Sequence, residues 1–265
     1  MSTPYADSGV PINSTIYNQV TRWQGATPDG WGRYFLAPGD NGQSAGNGIT
    51  WYSGATENSF FNSKQMRLLP IAGQGITVND YNTGVSDATS NLNAVLKALS
   101  NKATNFPLVN GLYMCAFALD CETPNQGFPT FNFADYLAGW LQQMATGVTD
   151  SVGNQLIGWG GVYGGQDATK VWDSVNTCVS TYGVRPNFVA VSSYITPQLL
   201  GFPSSWDTSY TSTDVAIGQS TTLWQYTGDA VVTNSSTGQQ YDVDLDMGNP
   251  NIDFHTALGQ YCPIP

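Results

Sequence analysis

Two carboxylates follow an apolar run in the middle of the chain. Residues 112–119 are apolar, Asp120 and Glu122 come next, and Thr-Pro-Asn follows at once. A continuous apolar run that ends at a turn signal is typical of a strand buried on both faces. Side chains two residues apart on a strand point the same way and lie about 7 Å apart. We therefore expect Asp120 and Glu122 to stand side by side where a buried strand meets solvent.

Such a pair could carry out acid–base chemistry. If Trp and Tyr side chains surround Glu122, desolvation and repulsion from an ionised Asp120 would raise its pKa and keep a proton available near neutral pH. Two carboxyl groups with separated pKa values are the pattern that acid–base catalysis uses. The alternative is that both groups are simply solvated at a strand end or cap a following helix.

A third acidic residue could come from the run Asp242, Asp244 and Asp246. These alternate positions share one face of a strand, so the choice among them stays open, although we favour Asp244. The run lacks the glycine and glutamate of a calcium-binding loop, and the four cysteines show no CxxC spacing. We predict no metal site and, without a GxGxxG or P-loop motif, no nucleotide cofactor.

Composition and charge exclude several classes of protein. Hydrophobic residues make up 41% of the 265 residues, and charged residues only 10%. The 8 basic and 19 acidic residues give a net charge of −11, which argues against nucleic acid and anionic membranes. No apolar stretch is long enough to span a membrane, and residues 1–15 lack the features of a signal peptide. The single histidine, His255, follows no GxSxG elbow.

Short apolar segments alternate with amphipathic ones, which predicts an α/β fold, a single (β/α)8 TIM-like barrel. No helix is predicted between the last two strands, so we expect irregularity there. We assign residues 1–15 to an N-terminal extension and residues 16–265 to the barrel domain, and we expect Asp87 and Asp167 to cap helices. The predicted strands are 16–20, 32–36, 67–72, 112–119, 156–163, 187–192, 222–226 and 241–246, and the predicted helices are 56–64, 88–100, 133–145 and 167–181.

Several segments resemble, in their order along the chain, the glycoside-hydrolase-like barrels. This group includes the family 25 lysozymes and the bacterial domain of unknown function 1906. The Asp-x-Glu strand end at residues 118–122 is similar to that of both families. The other similar segments are GRY at 32–34, IT at 49–50, Glu57, MRLLPI at 66–71, GGVYG at 160–164, LWQYT at 223–227 and DVDLD at 242–246.

The resemblance implies cleavage of a β-glycosidic bond beside an N-acetylated sugar, as in peptidoglycan. Glu122 would be the general acid, and Asp120 would orient the acetamido group or stabilise a cyclic intermediate. Family 25 enzymes carry an aspartate at the end of the first strand, where the segment 16–20 offers Asn18. An amide cannot act as a carboxylate, so another acid, such as Asp40 or Asp80, would have to replace it.

We also expect Arg33, Tyr163, Trp224, Tyr226 and Asn18 to contact the substrate. Sugar rings stack on aromatic faces, although core packing is the alternative for each aromatic residue. Arg33 would pair with an acid of the site or form a structural salt bridge. The expected partners are a peptidoglycan-type glycan and virion or cell-surface proteins, and the expected location is extracellular, at the cell wall or on a phage virion. A non-catalytic glycan-binding or structural virion module on the same barrel is the alternative function.

Overall fold

The computed structural model describes residues 2–35, 51–52, 54–72, 80–121 and 133–252. The strands in this part of the chain are β1 Thr3–Ser8, β2 Gly30–Phe35, β3 Arg67–Ala72, β4 Leu108–Val109, β5 Leu112–Asp120, β6 Val148–Thr149, β7 Gln155–Gly165, β8 Phe188–Ser192, β9 Leu223–Thr233 and β10 Gln240–Gly248. The α-helices are α1 Ser14–Gln24, α2 Ala55–Lys64, α3 Tyr81–Ala98, α4 Ala134–Thr146, α5 Thr169–Tyr182 and α6 Thr208–Thr211.

The described strands form one sheet that closes on itself. Its order is β4-β5-β3-β2-β1-β10-β9-β8-β7-β6, and pairing of β5 with β7 closes an eight-strand barrel from which β4 and β6 branch. Neighbouring barrel strands are parallel except around β10, which runs antiparallel to both β1 and β9. The predicted barrel is confirmed, and so is its irregularity, because β9 and β10 form a hairpin. The mixed strand directions make the TIM-like label approximate.

The first strand is not where the sequence pattern placed it. Residues 16–20 belong to α1, so the predicted strand is wrong. The Asn13 side chain accepts hydrogen bonds from the backbone N–H groups of Thr15 and Ile16, and α1 ends at Gly25 with a left-handed φ of 68°. The barrel instead begins with β1, inside the segment that we had assigned to an extension.

Alternation of side chains along the strands supplies two apolar layers. One fills the barrel interior, where Tyr5, Leu69, Ile71, Ala118 and Phe188 are buried together. The other lies between the barrel and its helices. Both layers leave the ends of the strands as the places where polar groups can meet solvent.

Helices α3 and α4 pack closely on the outside of the barrel. A side chain at either Gly84 or Gly139 would collide with the backbone of the other helix. Between the helices, the Tyr136 hydroxyl donates to buried Asp87 at 2.9 Å. Asp87 is therefore not a helix cap as predicted, and Asp80 caps α3 instead.

Three further findings concern a helix start, the cysteines and membrane-spanning segments. Helix α5 begins after Ala168 without a side-chain cap, so Asp167 does not have the predicted role. Cys115, Cys121 and Cys178 are buried, whereas Cys262 and His255 lie outside the described residues. None of the helices in the described ranges is long and apolar enough to cross a membrane.

Candidate active site at the barrel mouth

Three carboxylates from three strands meet at the end of the barrel where the parallel strands terminate. Asp7 lies near the end of β1, Asp120 is the last residue of β5, and Asp244 lies opposite Asp7 on β10. Because β10 runs antiparallel, its middle rather than its end contributes to this mouth. The carboxyl groups of Asp7 and Asp244 hydrogen-bond to each other, and the charge of Asp120 acts on Asp244.

The surroundings of Asp244 favour its protonated form. Burial raises its pKa from the ordinary 3.8 to about 7, and the charges of Asp229 and Asp120 add to this effect. The backbone N–H of Asp229 opposes it by donating to Asp244 Oδ1 at 2.7 Å. The Asp7–Asp244 pair therefore holds a shared proton up to near-neutral pH, as closely spaced carboxyl groups do.

The neighbouring strand fixes the position of Asp7. A Cβ atom on Gly32 would lie 2.6 Å from the Cβ of Asp7, so only glycine leaves room for the carboxylate there. The carbonyl of Ser8, the next residue, accepts a hydrogen bond of 2.9 Å from Nη1 of Arg33. The Ser8 hydroxyl in turn accepts from the indole N–H of Trp31 at 3.0 Å.

Arg33 contacts the backbone beside Asp7 through its bond to the Ser8 carbonyl. Its side chain is fully buried, and its Nε donates to Oε2 of Glu57 on α2 at 2.7 Å. A second bond joins Nη2 to Oε1 of Glu57 at 3.2 Å. Arg33 thus points between β2 and α2, because alternate residues of β2 face outward. The structural salt bridge is the alternative that the structure shows.

Tyrosine hydroxyls line the mouth beside Asp120. The Tyr34 hydroxyl donates to Asp120 Oδ2 at 3.1 Å. Tyr163 pairs in register with Asp120, and its hydroxyl hydrogen-bonds to the side-chain oxygen of Gln225. Tyr34 and Tyr163 both line a small interior cavity of about 20 Å³ that also touches Asp7. Tyr163 therefore lies where the sequence placed it.

The two other predicted aromatic residues face away from this cavity. Because Gln225 points inward to Tyr163, its neighbours Trp224 and Tyr226 point outward. Trp224 is buried and stacks on Tyr210 with 5.4 Å between ring centroids. The hydroxyl of buried Tyr226 accepts a hydrogen bond from Gln24 on α1 at 3.2 Å. Core packing, rather than sugar contact, is their observed role.

Asn18 is also not part of the site. It is exposed on α1, while the first-strand acid that sequence reasoning missed is Asp7. The available signal was the short segment TPYADS, which carries an acidic residue at its next-to-last position. Glu122 and Asp40 lie outside the described residues, and Asp80 is occupied as a helix cap.

The arrangement is suited to proton transfer and charge stabilisation. Within the described ranges, no group of three or more His, Cys, Asp or Glu residues has the geometry to hold a metal ion. The Asp7–Asp244 pair keeps a proton, and Asp120 accepts a hydrogen bond from the Tyr34 hydroxyl. The mouth thus combines a protonated pair with a separate carboxylate.

Comparison with solved structures gives the same fold. An uncharacterized protein of B. stearothermophilus is 16% identical over 94% of this chain and 96% of its own, with a TM-score of 0.62. The spore cortex lytic enzyme SleM of Clostridium perfringens is 14% identical over 95% of this chain and 68% of its own, with a TM-score of 0.54. A family 25 glycosyl hydrolase from Bacillus anthracis is 10% identical over 96% and 92% of the two chains, with a TM-score of 0.49.

No protein-family model matches the sequence. No curated protein matches it either. At the identities found among solved structures, the fold is what the first two of them share with this chain.

Proposed function

We propose that this protein is a glycoside hydrolase that cleaves a β-glycosidic bond beside an N-acetylated sugar in a peptidoglycan-type glycan. The observation that carries the proposal is the meeting of Asp7, Asp120 and Asp244 at the barrel mouth, with a proton kept on one pair. Glycoside cleavage needs a proton donor and an ionised carboxylate beside the scissile bond. The likeness in fold to a spore cortex lytic enzyme supports a cell-wall glycan as the substrate.

The proposed roles follow from charge. The transition state of glycoside cleavage carries positive charge on the sugar ring. The singly protonated Asp7–Asp244 pair and the Asp120 carboxyl group lie beside it, in a partly desolvated mouth where negative charge acts strongly. Asp120, held by the Tyr34 hydroxyl, would orient the acetamido group or stabilise a cyclic intermediate.

Glu122 is the proposed general acid. It follows Asp120 by two residues, and the proposal rests on that spacing and on the family resemblance. The Asp7–Asp244 pair is the second group that could give up a proton near neutral pH.

Asp7 bears on the choice between an enzyme and a non-catalytic module. One argument for a glycan-binding or structural virion module, beside the low charge, the missing signal peptide and the long polar loops, was Asn18 in place of the first-strand aspartate. Since the first strand of the barrel is β1 and carries Asp7, that objection no longer applies. An enzyme of this kind would act outside a cell, at the wall or as part of a virion.

The test is digestion of purified peptidoglycan, with the soluble fragments identified by mass spectrometry after reduction of their reducing ends. We expect disaccharide-peptides that end in reduced muramic acid, and their loss in Glu122→Gln or Asp244→Asn. Asp242→Asn, an exposed position on the same strand, is the matched control and should retain activity. Wall binding without any fragment would contradict hydrolysis and favour the non-catalytic module.

A further inference from the structure

We infer that Tyr194 is an aromatic platform on which a sugar ring of the substrate stacks beside the acidic mouth. Tyr194 comes two residues after β8, at the same end of the barrel as the carboxylates. Its side chain is 51% exposed, although large apolar side chains of the described barrel are mostly buried. A half-exposed aromatic face at a polar mouth offers apolar area to a ligand that has both a flat C–H face and hydroxyl groups. The inference rests on the proposed glycan substrate.

The position of the ring is set by the neighbouring strand. The backbone N–H of Ser193 donates to the carbonyl of Gln225 at 3.1 Å, and that of Ile195 donates to the carbonyl of Tyr226 at 3.0 Å. These two bonds, one on each side of Tyr194, hold its segment along β9. The side chain is therefore anchored at its backbone while its ring remains accessible.

Gly228 provides the surface against which the ring lies. A Cβ atom at this position would lie 2.6 Å from Cζ of Tyr194, so any other residue would displace the ring. The Gly228 carbonyl accepts a hydrogen bond of 2.8 Å from the Gln198 side chain, which ties the same loop to the strand a second time. Gly228 thus lies against the hydroxyl end of the Tyr194 ring, and about half of the side chain remains exposed to solvent.

A short series of contacts connects this ring to the acidic pair. Gly228 is followed by Asp229, whose backbone N–H donates to Asp244 Oδ1 at 2.7 Å. Two consecutive residues of β9 therefore connect the two groups: Gly228 lies against the Tyr194 ring, and Asp229 bonds to Asp244. A sugar on the ring would have its neighbouring glycosidic oxygen close to the carboxylates.

The chemistry of this surface selects a class of ligand. A β-linked N-acetylhexosamine carries its bulky substituents in the ring plane, which leaves flat C–H faces that pack on an aromatic ring, and its hydroxyl and acetamido groups can bond to carboxylates. The structure thus assigns Tyr194 to binding of the glycan rather than to proton transfer. Its loss should weaken binding without changing the pH dependence of cleavage.

The experiment measures binding apart from cleavage. A β-linked N-acetylglucosamine oligomer is titrated calorimetrically into the Glu122→Gln protein, with and without Tyr194→Ala or Tyr194→Phe. Stacking beyond plain area burial contributes up to about 1.5 kcal/mol, so Tyr194→Ala should bind about tenfold more weakly, whereas Tyr194→Phe should bind within about twofold. Tyr182→Ala, on the outer helix α5, is the control and should not alter binding.

Two outcomes would overturn the inference. Unchanged affinity in Tyr194→Ala, or no binding of the oligomer by any variant, would show that the ring is not a platform. Circular dichroism of each variant excludes loss of folding as the cause of weak binding. Fragment release from peptidoglycan is measured in parallel with the otherwise unchanged protein. Binding that depends on Tyr194, without any released fragment, would refute the proposed hydrolase activity but not the sugar platform.

Discussion

Replacement of Asp244 by asparagine should stabilise the protein at alkaline pH while it abolishes activity. The amide keeps the size of the side chain, its oxygen can still accept from Asp229, and its NH₂ group can donate to Asp7. What it removes is a carboxyl group that must give up its proton in a desolvated place. Functional sites often hold charges at such a cost to stability.

The sign and size of the effect follow from linkage. The unfolded chain releases this proton near pH 3.8, whereas the native pair keeps it to about pH 7. The native state thus binds more protons within this window, and the free energy of unfolding falls as pH rises through it. Between pH 5 and pH 7 the free energy of unfolding falls by at most about 2.7 kcal/mol, at about 1.36 kcal/mol per pH unit for one proton. Since Asp244 is only partly buried, screening should reduce it to ~1–2 kcal/mol.

The assay is urea unfolding at pH 5 and pH 8, followed by tryptophan fluorescence. The stability difference between Asp244→Asn and the unchanged protein should grow by ~1–2 kcal/mol from pH 5 to pH 8. Asp242→Asn, exposed on the same strand, should show no such growth. Equal behaviour of the two variants, or a loss of stability in Asp244→Asn at pH 8, would refute the account of a desolvated, proton-sharing pair.

Other substitutions test the support of the site. Arg33→Met removes the ion-pair partner of buried Glu57 and should cost about 3–5 kcal/mol in urea unfolding. Arg33→Met combined with Glu57→Met should recover stability but not kcat, and full recovery of kcat would contradict a positioning role. Gly32→Ala should lower kcat at least about tenfold, because the added methyl group displaces the carboxylate of Asp7, while circular dichroism stays near native. An unchanged kcat would show that the close approach of Gly32 to Asp7 is unimportant for activity. Tyr34→Phe removes the hydroxyl that donates to Asp120 and should lower kcat/KM about tenfold, for a bond worth ~1.5 kcal/mol, at unchanged thermal stability.

The sequence was sufficient for the parallel half of the barrel. The predicted boundaries of β3 match the structure, and β5 and β7 differ by one or two residues, because continuous apolar runs are typical of strands covered on both faces. Asp120 and Tyr163 could therefore be placed at the mouth. Asp244, which the sequence analysis favoured among three acids, lies at the mouth opposite Asp7, although the reversal of β10 that brings it there was not foreseen.

The errors have identifiable physical causes. The segment STIYNQVTRWQ contains β-branched residues that favour strands, but its buried residues Ile16, Tyr17, Val20 and Gln24 follow the helical period. Because the Asn13 cap was overlooked, the first strand was predicted at residues 16–20 and Asp7 was not recognised as part of it. The assignment of Trp224 and Tyr226 to the site has a different cause. The register of a strand in the closed sheet decides which of its side chains face the interior, and the sequence of one strand alone does not determine that register.

The most direct test of the central claim compares three proteins in one peptidoglycan digestion. Asp7→Asn removes the acid that the structure places on the first strand, and Asn18→Asp adds one on the exposed face of α1, where the sequence pattern had placed it. The account predicts that the unchanged protein and Asn18→Asp release disaccharide-peptides at the same rate and that Asp7→Asn releases none. Undiminished release by a folded Asp7→Asn protein would contradict the assignment of the barrel mouth as the hydrolytic centre.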